Sequence, residues 1–265
     1  MEKSVVFQNK KIFYKKEGNG PAILFLHGFL EDNSIWEVFI DGLKENFTCI
    51  AVDLPGFGKT ETFSANHSMS FMASAAKAVL DSENIDSTVI TGHSMGGYVS
   101  LAFAAKFPQM LKGLVLFHSQ AAADDAEAKT NRNRTIEVVK KEHKNFISGF
   151  IPLLFAKQNV EKFKTEIDIL KEKSLKTTAE GIIASLAGMR DRDDNTAVLK
   201  EAKFPLFFVV GKQDSRIPLD KIVSQITIPQ HSETIILDGV GHMGFIEAPG
   251  KIFPVLTAFY NRCLF

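Results

Sequence analysis

The feature that most constrains the fold is a series of continuous apolar runs at Ala22 to Leu26, Thr48 to Val52, Ser87 to Thr91, Leu114 to Phe117, Phe204 to Val210 and Thr234 to Leu237. A strand that faces solvent on one side alternates polar and apolar residues, so unbroken runs this short describe strands buried on both faces of a parallel sheet. Helical patterns lie between them, at Asn33 to Leu43, Met69 to Leu80, Met95 to Phe107, Leu219 to Ile226 and Ile246 to Tyr260. This alternation predicts right-handed strand-helix-strand crossovers and a mostly parallel α/β sheet with helices on both faces. Ahead of the series, Val5 to Phe7 and Ile12 to Lys16 flank a polar turn and read as a hairpin at the sheet edge.

One segment departs from the rhythm. From about 119 to 202 no convincing strand occurs, but helical stretches do: Phe146, Ile147, Phe150, Ile151 and Leu154 fall at helical spacing until Pro152 interrupts them. A second stretch opens on the capping pattern Thr177 to Glu180 and places Ile182, Ile183, Leu186 and Met189 on one face. An insertion that long reads as a helical cap over a site, with extra core helices as the plainer alternative. The expected organisation is therefore a core domain of residues 1–118 and 203–265 carrying a cap of residues 119–202.

Charge and composition exclude several classes. Lys plus Arg and Asp plus Glu both number 31, so the formal net charge is zero and no long-range field favours nucleic acid or an anionic membrane. A neutral or modestly polar small molecule is the expected partner. The N-terminal MEKSVVFQNK has no apolar stretch of signal-peptide length behind it, and no run reaches the roughly 18 apolar residues of a membrane span, so a cytoplasmic protein is expected. The two cysteines, Cys49 and Cys263, form neither a disulfide framework nor a metal-ligand spacing.

The chemistry concentrates in the turns after the strands. Gly92-His93-Ser94-Met95-Gly96 fits G-x-S-x-G and sits where a strand must turn sharply into a helix, the context in which a serine is held strained with its hydroxyl exposed. A serine hydroxyl needs a base, and His242, in the glycine-containing loop Asp238 to His242 after the Thr234 to Leu237 run, is the candidate. Asp214, directly after the Phe204 to Val210 run, is the candidate acid to orient that imidazole; Asp124 and Asp125 form the runner-up position. The backbone N–H groups of Phe29 and Met95 are placed to stabilise an oxyanion. His67, His143 and His231 lie among polar neighbours and are expected to face solvent. His27 and His93 are expected to shape their turns, and His118 either lines the pocket or makes a local hydrogen bond. Candidate pocket residues are His27, His118, Phe146, Phe150 and Phe155, with no metal and no organic cofactor.

Together LHGF at 26 to 29, DLPGFGKT at 53 to 60, GHSMGG at 92 to 97, GKQD at 211 to 214 and GVGH at 239 to 242 resemble the α/β-hydrolase family. GMRDRDDNTAVL at 188 to 199 looks like the family's approach to the strand that bears the acid. The resemblance implies an eight-stranded sheet flanked by helices, a cap inserted after the sixth strand and an oxyanion hole from Phe29 and Met95. Relatives that use an aspartate nucleophile, the haloalkane dehalogenases and epoxide hydrolases, differ at position 94; the proline iminopeptidase branch differs at Met95 and in its oxyanion loop.

The leading expectation is a serine hydrolase of a small carboxylic ester or thioester, working through an acyl-enzyme. Two others keep the fold: carbon–carbon bond cleavage or a menaquinone-pathway-like elimination with the same triad, and a non-catalytic ligand receptor. Oligomeric state is not legible in the sequence.

Overall fold

A computed structural model describes all 265 residues. Eight strands occur in chain order: β1 (Glu2–Phe7), β2 (Lys10–Glu17), β3 (Ala22–Leu26), β4 (Thr48–Val52), β5 (Thr88–His93), β6 (Leu111–Phe117), β7 (Leu206–Gly211) and β8 (Ser232–Leu237). They form one sheet in the order β1-β2-β4-β3-β5-β6-β7-β8. The β1–β2 and β2–β4 pairings are antiparallel and all others parallel. The initial hairpin turns at Gln8 and Asn9, both of positive φ, and occupies one edge.

β3, β4, β5 and β7 are buried at every position, as their unbroken apolar runs require. β8 differs: its residues alternate exposed and half-buried until Leu237. As the last strand of the sheet it is covered on one face, so the expectation of two-sided burial fails there.

Helices α1 (Glu37–Leu43), α2 (Met69–Ser82), α3 (Met95–Lys106), α8 (Leu219–Ile226), α9 (Gly244–Glu247) and α10 (Pro249–Leu264) alternate with the strands. Between β6 and β7 there are only helices: α4 (Ala126–Phe150), α5 (Lys164–Ser174), α6 (Ala179–Arg190) and α7 (Thr196–Glu201), with short 3₁₀ turns. α4 carries a non-helical residue at Glu142 and gives way at Pro152 to the 3₁₀ turn Ile151–Leu154. The start of α6 is one residue later than the capping pattern suggests, because the Thr178 side chain, not that of Thr177, accepts from the Gly181 amide.

The core runs continuously from the sheet into the insertion. Trp36, Phe39, Phe117 and Phe245 pack edge-on or tilted about one another on one face of the sheet. Ile182, Leu186 and Met189 of α6 and Ile136, Val139 and Ile147 of α4 join the same cluster. No helix is long and apolar enough to cross a membrane.

Candidate active site

The parallel strands all end on one edge of the sheet, and the candidate residues arrive there from four of them: Phe29 after β3, Ser94 after β5, Asp214 after β7 and His242 after β8. Ser94 has φ 50° and ψ −112°, a conformation that L residues avoid and that the surroundings must impose. Its amide donates to Phe117 O at 2.9 Å, and its carbonyl accepts from Gly97 N at 2.9 Å and Ser119 Oγ at 2.8 Å. Close approach on either side demands glycine. A Cβ on Gly92 would stand 2.4 Å from Gly96 O, and one on Gly96 would stand 2.3 Å from Leu26 O. The second contact sets the helix after Ser94 directly against the turn that carries Phe29.

His242 is fixed from three sides. Its amide donates to Leu154 O at 2.7 Å, its carbonyl accepts from His93 Nε2 at 2.9 Å, and its Nδ1 lies 2.8 Å from Asp214 Oδ2. With Nδ1–H donating, Nε2 is left as the basic nitrogen. Ser94 and His242 line the same cavity, although no hydrogen bond joins them directly. Such nucleophile–base contacts are often long until a substrate closes them.

Asp214 is buried and accepts four hydrogen bonds: Arg216 N at 2.8 Å and Ile217 N at 2.9 Å on Oδ1, and His242 Nδ1 at 2.8 Å and His118 Nδ1 at 3.0 Å on Oδ2. Burial alone would raise its pKa. The His242 charge and the two imidazole hydrogen bonds outweigh that and hold the carboxyl far below its usual range. His118 is the reverse case. Burial pushes its pKa down to about 4 against the pull of Asp214, so it stays neutral, and its Nε2 has no partner.

A second buried acid–imidazole contact lies alongside. Glu31 Oε2 accepts from Gly28 N at 2.6 Å and from His93 Nδ1 at 2.9 Å. Both His93 nitrogens thus face acceptors, Glu31 and His242 O. Burial opposes its charge, but the Glu31 carboxylate and these hydrogen bonds raise its pKa overall. Glu31 went unrecognised in the sequence; the available signal was an acid two residues beyond the LHGF turn.

The cavity encloses about 330 Å³, a volume suited to a small molecule. Phe29, Ser94, Tyr98 and His242 line it from α3 and the loops that follow the strands, and more than half of its lining comes from the insertion, including Arg132, Phe146, Phe150, Leu186 and Met189. Three expected pocket residues lie elsewhere. His27 is buried beneath the turn, where Nδ1–H donates to Gly28 O at 2.7 Å and Nε2 accepts from Leu54 N at 3.0 Å. His118 sits behind Asp214, and Phe155 packs on Phe163 with centroids 6.3 Å apart. His67, expected in solvent, is wholly buried because its loop docks under α6 through His67 N to Ala184 O at 3.0 Å.

The runner-up acids are occupied elsewhere: Asp124 pairs with Arg132 and Arg192, and Asp125 caps α4. His118, Asp214 and His242 hold their polar atoms within 4.8 Å of one another, the one such grouping of potential metal ligands. Both Nδ1 atoms there already donate to Asp214 Oδ2, so a cation would have to displace both hydrogen bonds.

Comparison with known proteins agrees with this architecture. The dihydrolipoyllysine-residue acetyltransferase component of the acetoin cleaving system of Pseudomonas putida is 30% identical over 93% of this chain and 65% of its own length. Its counterpart in Cupriavidus necator is 27% identical over 89% and 62%. The chain thus spans somewhat under two thirds of the length of these relatives. Among solved structures, a thermophilic esterase from Thermogutta terrifontis superposes with a TM-score of 0.94, at 26% identity over 100% of both chains. The model of the alpha/beta hydrolase fold matches residues 21–249, and the chain belongs to that family.

Proposed function

We propose that the protein hydrolyses a small carboxylic ester or thioester through an acyl-enzyme, with Ser94 as nucleophile, His242 as base and Asp214 as the acid that orients it. The observation that carries this reading is the 2.8 Å bond from His242 Nδ1 to Asp214 Oδ2, which leaves Nε2 facing the cavity that Ser94 also lines. An unused imidazole nitrogen and a strained serine on one cavity wall have little structural purpose. The Thermogutta esterase supports it, as does the pimeloyl-[acyl-carrier protein] methyl ester esterase of Wigglesworthia glossinidia brevipalpis, 24% identical over 96% of this chain and 99% of its own.

In this mechanism Ser94 Oγ attacks the ester carbonyl as its proton passes to His242 Nε2. The oxyanion so formed sits against the N–H groups of Phe29 and Met95; Met95 opens α3, where no earlier turn supplies a carbonyl to its amide. The imidazolium returns its proton to the leaving alkoxide or thiolate, and the alcohol or thiol departs. Water then loses a proton to His242, attacks the acyl-serine carbonyl and releases the carboxylic acid, with the serine proton restored. Asp214 stays ionised throughout and stabilises the imidazolium.

Turnover of short p-nitrophenyl esters and labelling by a fluorophosphonate test this directly. Ser94→Ala is expected to lose about 10⁶-fold in kcat and to take up no label. Wild-type turnover in that variant, or a wild-type adduct on a residue other than Ser94, would refute the assignment.

A further inference from the structure

The sequence-wide balance of charge suggests a neutral substrate, but the cavity is lined by a guanidinium that no carboxylate answers. Glu31 is answered by His93, whose two nitrogens both face acceptors. Asp124 is shared by two arginines: Arg132 Nε reaches one oxygen at 2.5 Å and Arg192 Nη1 takes the other. Asp214 is answered by two imidazoles and two backbone amides. Arg216 has no carboxylate partner and its guanidinium makes no hydrogen bond; it lies over the Phe150 ring at 4.8 Å. Arg216 is therefore the guanidinium left without a carboxylate, at a cavity of small-molecule size.

The position of Arg216 is set by the site itself. Its amide donates to Asp214 Oδ1, so the backbone that seats the candidate acid also brings the Arg216 side chain to the cavity lining. Phe150, beneath it, packs edge-on against Phe29 with centroids 6.1 Å apart. Stacking on a ring that is itself wedged in place keeps the fork of donors oriented. Arg132, which also lines the cavity, spends only Nε on Asp124, and its two terminal nitrogens make no other bond. Guanidinium groups are well suited to carboxylates, which they bind with two parallel hydrogen bonds.

We infer that the substrate is an ester or thioester bearing a carboxylate, held by Arg216 with Arg132, while the ester carbonyl sits at Ser94. A planar carboxylate matches the flat fork of guanidinium donors, which can bind both of its oxygens at once. This rests on the hydrolase reading and narrows its substrate class. Arg216 selects the substrate and takes no part in the chemical step.

The test compares mono-p-nitrophenyl succinate with its uncharged methyl ester, which shares the reacting carbonyl. The wild type is expected to favour the anionic ester in kcat/KM, chiefly through KM, and 0.5 M salt to erode that preference. Arg216→Gln is expected to lower the ratio of the two kcat/KM values by about tenfold or more, and Arg216→Lys to restore part of it. No preference in the wild type, or a ratio unmoved in Arg216→Gln, overturns the inference while leaving the hydrolase intact. Should neither ester turn over, calorimetric titration of N-butylsuccinamic acid into Ser94→Ala reads the anion site by itself. Binding that weakens about tenfold in Ser94→Ala/Arg216→Gln upholds it; no binding, or binding indifferent to position 216, overturns it. Loss of fluorophosphonate labelling at Ser94 is the separate failure that belongs to the hydrolase reading.

Discussion

Glu31 Oε2 and His93 Nδ1 meet at 2.9 Å in the interior, joining the turn that carries Phe29 to the residue that precedes Ser94. His93 continues the chain of bonds to the His242 carbonyl, so a single imidazole ties three of the loops that bear the candidate machinery. Removing one partner of a buried ion pair leaves an uncompensated charge, at a cost of about 3–5 kcal/mol. Glu31→Gln is thus expected to lower stability by about that much in urea denaturation at pH 7. The pH dependence has a definite sign. His93 has a folded-state pKa above its ordinary 6.5, so the contribution of the pair is fully present below pH 6.5 and fades as pH rises through the higher folded value. The stability gap between wild type and Glu31→Gln should therefore narrow in alkali; a gap that widens there would contradict a protonated His93.

His118 and His67 act in the opposite direction. Burial pushes each down to about 4 from 6.5. The unfolded chain then binds more protons than the folded one between pH 4 and 6.5, and stability falls as pH falls through that window. A shift of that size in a fully buried imidazole amounts to about 3 kcal/mol. Thermal melts of the wild type should drop steeply from pH 6.5 to 4, and His118→Leu should flatten part of the drop. An equal slope in the variant would show that His118 is already charged in the native state.

Asp214 tests the same carboxylate from the functional side. Its pKa lies far below the ordinary 3.8, so its contribution to stability is present above that value and is lost only in strong acid. Asp214→Asn keeps the shape but offers one carbonyl oxygen to a site with four donors, and presents N–H groups toward His118 or His242. The His242 tautomer that leaves Nε2 basic is then disfavoured. A loss on the order of 10⁴-fold in kcat for p-nitrophenyl acetate is expected. Near-normal turnover in Asp214→Asn would remove Asp214 from the mechanism.

How much of this was legible in the sequence depended on whether neighbours along the chain or across space decided each residue's role. β3 and β4 appear with the expected bounds, Ala22–Leu26 and Thr48–Val52, because all five positions in each are buried and leave an unbroken apolar run. β8 is an edge strand, a fact of topology that no local run reports. Ser94, Asp214 and His242 stand out as candidates in the sequence because each follows a strand in a glycine-containing turn, and the structure brings those strand ends to one edge. Nothing local in the chain marks Arg132 or Arg216; they come to line one cavity only when the insertion that bears Arg132 folds over Ser94. His67 is buried for the same kind of reason: its polar neighbours Asn66 and Ser68 suggest solvent, but α6 covers it.

Gly96 probes the contact between α3 and the Phe29 turn. A Cβ there would stand 2.3 Å from Leu26 O and 2.7 Å from His27 O, both backbone atoms that have no rotamer by which to yield. Gly96→Ala must then push the turn away from the helix and separate the two N–H groups proposed for the oxyanion. Loss of one such donor costs about 10²- to 10³-fold in kcat. Comparable loss is expected in Gly96→Ala, with KM for p-nitrophenyl acetate little changed, since ground-state contacts lie in the rest of the cavity. A variant that folds and retains full kcat would place the oxyanion elsewhere.

Phe150 is the wall on which the cavity's size depends. Its ring centroid lies 6.1 Å from that of Phe29, 5.2 Å from that of Phe146 and 4.8 Å from the Arg216 guanidinium, so it joins the insertion to the turn and to Arg216. Truncation to alanine removes most of that wall, and because Phe150 is only partly buried the neighbouring chain need not collapse into the gap. Room opens beside Phe29, where the acyl group of an ester at Ser94 would lie. Phe150→Ala is therefore expected to move chain-length preference in a p-nitrophenyl ester series toward longer acyl groups, with each added methylene that finds apolar wall worth about 0.8 kcal/mol in kcat/KM. The same change frees the Arg216 side chain from its ring, so selectivity for a carboxylate should weaken as the acyl range broadens. An unchanged chain-length profile would mean that acyl groups occupy the Leu186 and Met189 side of the cavity instead.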